Sequence, residues 1–218
     1  MKKIMRYSFV LLTLLLLNVG TAQSPSAIDI LDRAISYHDP NNSWPSFHGK
    51  LFLTEYRETE NRSTQFTINN SIGKFLFERG DVSHGMLLDS CFIISSDADC
   101  ERVNTIRNYY LYLWGLPMKL KDNGTPLQKE VKIIEDWQGR QVYALDVNYE
   151  RENWSFFFDQ NTYALIAYQF YFNYKEGGEL ILLEDEVEYA GMKFPKSRTW
   201  YSLPKEEYLA KDILDAIK

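Results

Sequence analysis

From residue 47 to residue 203 the chain alternates apolar and polar positions in short runs broken by turn residues, the period of two that sends successive side chains to opposite faces of a strand. The first group of predicted strands is FHGKLFLTEYR (47–57), STQFTINN (63–70), GKFLFER (73–79) and HGMLLDSCFII (84–94). The second group, KEVKIIEDW, QVYALDVNY, NWSFFFD, YALIAYQFYFNY, ELILLEDEVEYA and MKFPKSRTWYSL, alternates more cleanly. Val131, Ile133 and Trp137 share one face, as do Tyr143, Leu145, Val147 and Tyr149, and from Ala164 to Tyr174 the even positions carry Ala164, Ile166, Tyr168, Phe170, Phe172 and Tyr174. Short turns between long strands imply an antiparallel meander.

Three segments change the period. SAIDILDRAISYHDP repeats Ile28, Leu31 and Ile35 at helical spacing behind a serine and ends at Pro40. Between the strand groups, Val103, Ile106, Tyr110 and Leu113 fall at helical spacing, and Gly115 and Pro117 supply a stop. The last turn of this helix, Tyr109 to Trp114, has no polar face, so it must be covered on both sides. A third helix is predicted from Lys205 to Ile217, with Leu209, Ile213 and Ile217 four residues apart and Glu206 and Glu207 in its first turn. The pattern therefore reads as mainly β (α+β), about ten strands with three helices.

The chain opens with Lys2, Lys3 and Arg6, an apolar stretch from Tyr7 to Leu17, and small residues at Gly20 and Ala22. This is the form of an export signal, residues 1–22, leaving one mature domain, 23–218. No later stretch is long enough to span a bilayer and no cysteine lies near the cleavage point, so the expectation is a soluble periplasmic or extracellular protein without a lipid anchor. Of 24 basic and 30 acidic residues the signal holds three basic ones, so the mature charge is 21 − 30 = −9, and the scattered basic residues argue against a nucleic-acid partner. Cys91 and Cys100, in a chain bound for an oxidising compartment, favour a disulfide over two free thiols; a metal site lacks neighbouring ligands.

Catalytic signatures are sparse. His38 beside Asp39 fits a surface helix end better than a general-base pair, and His48 and His84 share no metal-ligand spacing with it. Ser90 stands in no nucleophile elbow, and KEGGE at 175–179 is a hairpin turn, not a phosphate loop. Glu184, Glu186 and Glu188 read as a solvated ladder that discourages strand association. Asp185 alternates with Ile181, Leu183, Val187 and Tyr189, so it needs a partner such as Arg198 or Lys196. No cofactor, no metal and no enzymatic activity are expected.

The remaining signal is aromatic: 13 Phe, 15 Tyr and 5 Trp, dense after residue 137 and in NYYLYLWG. These rings either fill a core or line a cavity for an amphipathic ligand. The segments RNYYLYLWGLPMKLKD, HGMLLDSCFI, CER, YHDPNNSW, WSFFFDQNTYALIAYQFY and KFPKSRTWYSL resemble an uncharacterised family of exported proteins from Bacteroidota. The order of elements and the FFFDQNTYALIAYQFY hairpin are similar to the Lol-type lipoprotein carriers. That resemblance implies a strongly curved antiparallel sheet, an incomplete β-barrel whose open side a helix closes over an apolar cavity. The expected function is then a carrier or binding protein for a lipid, a lipoprotein acyl chain or another apolar group. Its ligand would touch Tyr109, Tyr110, Tyr112 and Trp114 from the helix and Phe156, Phe158, Phe170 and Phe172 from the sheet. A cell-envelope interaction module with a filled core, and a hydrolase or isomerase using one of the histidines, are the alternatives.

Overall fold

The structure is a computed structural model that describes residues 24–218, so the expected export signal and its expected cleavage point lie outside the described residues. The elements are α1 (Ala27–His38), β1 (His48–Arg57), β2 (Arg62–Asn69), β3 (Lys74–Arg79), β4 (Val82–Leu87), β5 (Ser90–Ser95), α2 (Cys100–Trp114), β6 (Leu127–Trp137), β7 (Arg140–Asn148), β8 (Glu152–Asp159), β9 (Leu165–Phe172), β10 (Gly178–Tyr189), β11 (Met192–Leu203) and β12 (Tyr208–Ile217). All twelve strands form one open antiparallel sheet in the order β5-β4-β3-β2-β1-β12-β11-β10-β9-β8-β7-β6. The two edge strands, β5 and β6, are consecutive in sequence, so α2 has to carry the chain from one edge of the sheet to the other.

The sheet must curl. In a flat sheet β6 and β11 would stand about 24 Å apart, five spacings of about 4.8 Å, whereas α1 is only about 18 Å long, twelve residues at 1.5 Å each. Yet α1 packs on both strands. Both helices lie on the same side of this curl and share one core cluster with the inward residues of the sheet, including Leu51, Phe66, Phe75, Phe156, Phe158, Tyr168 and Phe194. The opposite face carries a smaller apolar cluster of Val142, Ala144, Phe157, Ala167, Leu180 and Leu203.

Local chemistry sets the helix ends. Ser26 and Asp29 form a reciprocal capping box at the start of α1, satisfying amides that have no partner inside the helix. Asp99 accepts the Arg102 amide at 2.8 Å to start α2. At its far end Gly115 passes so close to the chain before β1 that an added Cβ would stand 2.5 Å from the Trp44 ring. Cys91 on β5 and Cys100 at the first turn of α2 are joined in a disulfide.

Four expectations are corrected. The predicted third helix is β12, inserted between β1 and β11 with Ala210, Asp212 and Leu214 buried. Every fourth residue satisfies both a helix and a strand, and the two vacant ladders of β1 and β11 decide between them. HGMLLDSCFII is a hairpin of β4 and β5, turning at Leu88, which takes φ 53° without a glycine to announce it. These two changes raise the strand count to twelve and leave two α-helices. In β9 the even-numbered face breaks: a register shift opposite Phe157/Phe158 pairs Phe158 with Leu165, so Leu165 and Tyr168 face the core while Ile166 and Ala167 pack on the outside. Asp185 likewise sits at φ 54° between the pairs Glu184–Ser197 and Glu186–Pro195. It is exposed and therefore needs no buried partner; Arg198 is opposite Leu183 instead.

Candidate ligand-binding site

Beneath the C-terminal half of α2 lies a cavity of about 750 Å³. The helix contributes Asn108, Tyr109, Leu111, Tyr112 and Leu113, and the turn after it contributes Lys119, Asp122 and Thr125. Tyr149 comes from the turn just after β7, Glu152 and Trp154 from β8, Phe170 from β9, Glu179 from β10 and Trp200 from β11. Cross-strand pairing builds the wall: Trp154 stands opposite Phe170, and Phe170 opposite Glu179.

Hydrogen bonds fix the rings. Trp154 stacks on Phe170 with centroids 4.7 Å apart and meets the edge of Tyr112 at 5.6 Å. Its indole Nε1 donates to Glu152 Oε2 at 3.0 Å, and the Tyr149 hydroxyl donates to the Tyr112 hydroxyl at 3.2 Å. Trp200 Nε1 donates to the buried Asp212 at 3.2 Å. Each ring thus shows the cavity its apolar surface while its polar atom is held. Burial, with Tyr149 beside it, pushes the Tyr112 phenol well above its ordinary value. Tyr109 keeps 47% of its surface open and lines a second cavity of about 260 Å³ as well. Burial nonetheless drives the pKa of its phenol well up, with Tyr168 and Asp212 adding to the rise.

Behind the wall runs a polar network. Arg79 Nη2 reaches both oxygens of buried Glu55, at 2.9 and 3.0 Å, and the Tyr110 hydroxyl at 3.1 Å. Arg57 donates to Asp212 at 2.6 Å; burial raises the Asp212 carboxyl and Arg57 opposes the rise. The Arg198 guanidinium lies 3.6 Å over the Trp114 ring and donates to the Leu113 carbonyl at 3.3 Å. Burial lowers its pKa and pushes that of neighbouring Tyr168 up to about 12.

Residues 5–215 match the family of unknown function DUF6503. The chain belongs to that family. Among solved structures it is similar to a putative outer membrane lipoprotein-sorting protein domain from Vibrio parahaemolyticus, at 10% identity over 86% of this chain and 91% of that one, with a TM-score of 0.54. A DUF1329 family protein from Desulfovibrio piger is similar at 11% identity over 87% and 91%, with a TM-score of 0.53. A LolA superfamily protein from Nitrosomonas europaea matches at 10% identity over 89% and 94%, with a TM-score of 0.46. These likenesses are of fold: this DUF6503 chain has the open-sheet architecture of the lipoprotein-sorting domain. No curated protein matches it.

Of the eight aromatic residues singled out in the sequence, the structure brings Tyr109, Tyr112 and Phe170 to the cavity wall. Tyr110, Trp114, Phe156 and Phe158 are packed in the core, and Phe172 packs at its margin with its ring edge against Phe170. The wall residues passed over are chiefly Tyr149, Trp154, Trp200, Glu152 and Glu179. Trp154 shares strand parity with Phe156 and Phe158, and Tyr149 ends the Tyr143-to-Tyr149 face, so alternation could have found both.

The histidines stand apart from the cavity lining. His38 is not at the surface: it is buried, its Nε2 accepts the Leu165 amide at 3.0 Å, and its Nδ1 faces the Lys193 carbonyl at 3.0 Å. Those partners require a neutral ring with the proton on Nδ1, and burial lowers its pKa accordingly. Asp39, also buried, accepts the amides of Ser43 and Trp44. His84 stacks on Phe77, and His48 opens β1. Among the described residues no three His, Cys, Asp or Glu side chains are grouped to hold a metal, and no helix is long and apolar enough to cross a membrane.

Proposed function

We propose that the chain is an exported carrier or binding protein that holds a lipid, an acyl chain or another apolar group in the cavity beneath α2. The observation that carries this reading is the cavity's size and lining. Its roughly 750 Å³ falls in the range of small-molecule sites, and its wall sets six aromatic rings and two leucines beside six polar or charged residues, the mixed lining an amphipathic ligand would need. Binding would arise from apolar ligand surface leaving water, at about 25 cal/mol per Å². The likeness to a lipoprotein-sorting domain is consistent with it.

The full chain, expressed with export, should release apolar material on organic extraction and mass spectrometry, and should quench or enhance a fluorescent acyl probe stoichiometrically. Protein that carries nothing, binds no acyl probe and gains no melting temperature with any lipid would overturn the reading. A second reading, an envelope interaction module, draws on the β4–β5 hairpin, where Leu87, Leu88, Ile93 and Ile94 are all exposed. Capture of a defined envelope partner that fails when these residues become serine would favour it.

A further inference from the structure

The polar members of the cavity wall are not evenly matched in charge. Lys119 is paired with Asp122 on the rim, so those two cancel. Glu152 and Glu179 have no ion-pair partner among the described residues. One Glu152 oxygen takes the Trp154 indole; the Glu179 carboxylate takes no side-chain hydrogen bond. The rings beside them are Tyr112, Tyr149, Trp154 and Phe170. Aromatic faces carry negative charge density at their centres and attract cations, ammonium groups above all when water is excluded.

Resting on the carrier reading, we propose that the cavity selects amphiphiles whose polar end is an ammonium group: the chain lies against the aromatic wall and the cation sits between the rings and the carboxylates of Glu152 and Glu179. The two carboxylates also sense each other. Burial raises the Glu179 pKa; Lys175, in the turn before β10, draws it down, and Glu152 draws it up by less. A bound cation would relieve both upward effects. An anionic headgroup in the same place would add a third negative charge to a partly desolvated site, and a neutral one would leave the carboxylates unmatched. The rings are held before any ligand arrives: Trp154 is hydrogen-bonded to Glu152 and Tyr112 to Tyr149, so little ordering of the wall would be needed on binding.

The test uses three amphiphiles with the same twelve-carbon tail, dodecyltrimethylammonium, dodecanol and dodecanoate, titrated calorimetrically into the full chain below their aggregation concentrations. The ammonium should bind at least about tenfold more tightly than the carboxylate, with the alcohol between. In Glu152→Gln/Glu179→Gln the ratio should fall to within about threefold while circular dichroism and melting temperature show an intact fold; glutamine at 152 still accepts the Trp154 indole. Equal binding of all three, tighter dodecanoate, or an unchanged ratio in the double variant overturns the ammonium assignment and leaves the carrier reading standing. Binding of none of the three, and of no acyl probe, removes the carrier reading itself and this inference with it.

Discussion

Replacing Arg79 by methionine tests whether the network behind the cavity holds α2 in place. Arg79 ties β3 to three neighbours: Glu55 on β1 at 2.9 and 3.0 Å, Thr64 on β2 at 2.8 Å, and the Tyr110 hydroxyl of α2 at 3.1 Å. Glu55 is only 2% exposed, so losing its arginine leaves a carboxylate with little access to water. Breaking a buried ion pair from one side costs about 3–5 kcal/mol. That figure needs discounting here, because Arg62 and Arg57 still approach Glu55 at 3.4 and 3.8 Å and the Arg79 side chain is 31% exposed. We expect a loss of about 2–3 kcal/mol for Arg79→Met. Glu55→Gln, which leaves an arginine able to reach water, should lose about 1–2 kcal/mol. The double variant should lose less than the sum, with a coupling of about 1–2 kcal/mol. Urea unfolding followed by tryptophan fluorescence, at constant slope, reads these differences. Losses that add within about 0.5 kcal/mol would show that Arg79 and Glu55 act independently and would refute the network as the anchor of α2.

Burial holds His38 neutral, below its ordinary pKa of 6.5. The unfolded chain therefore takes up a proton that the folded chain refuses, and this site should cost up to about 1.4 kcal/mol of stability for each pH unit below about 6.5. Asp212 and Glu179, raised by burial, act in the opposite sense, so the measurement is the difference between the parent chain and His38→Asn in urea midpoints from about pH 7 to pH 5; equal slopes would contradict it. Replacing both Cys91 and Cys100 by serine opens a loop closed at a sequence separation of 9 and should cost about 2.5–3 kcal/mol, read by the same unfolding assay. Phe156→Ala, at a position 0% exposed, should cost about 3–5 kcal/mol while sparing amphiphile binding at low temperature. Trp154→Ala should do the reverse, with calorimetry showing weakened binding for a smaller loss of stability; identical behaviour of the two variants would show that core and cavity wall are not distinct.

The strands were legible wherever alternation ran unbroken between turns that declare themselves. Gln138 and Gly139, both at positive φ, close the β6–β7 hairpin where the sequence places it. Legibility failed where the backbone departs from its period without a glycine or proline to mark the place. Leu88 turns the chain and the extra residue in β9 shifts the phase of the residues downstream, while Asp185 leaves the core face without moving the β10–β11 register; a leucine gives no local sign of turning left-handed, and an aspartate only a weak one. The last strand was hidden for another reason: its placement depends on partners about 160 residues away in β1, such as Leu53 opposite Leu214. At the candidate site, the helix residues Tyr109 and Tyr112 were readable because no polar face remains around them. The carboxylates Glu152 and Glu179 were not, since their common location is set by the pairing of β8, β9 and β10.

Because α2 is the link between the sheet's two outer strands, the ceiling of the cavity is also a strut. Its leading end is riveted to β5 by the Cys91–Cys100 bond, and its trailing end is wedged where Gly115 meets Trp44 and where Leu116, Pro117 and Met118 are buried. A beam fixed at both ends does not hinge upward like a flap. Cargo would instead pass sideways, past the partly open Lys119 and exposed Asp122, and spreading the two margins of the sheet would be the motion that widens that doorway.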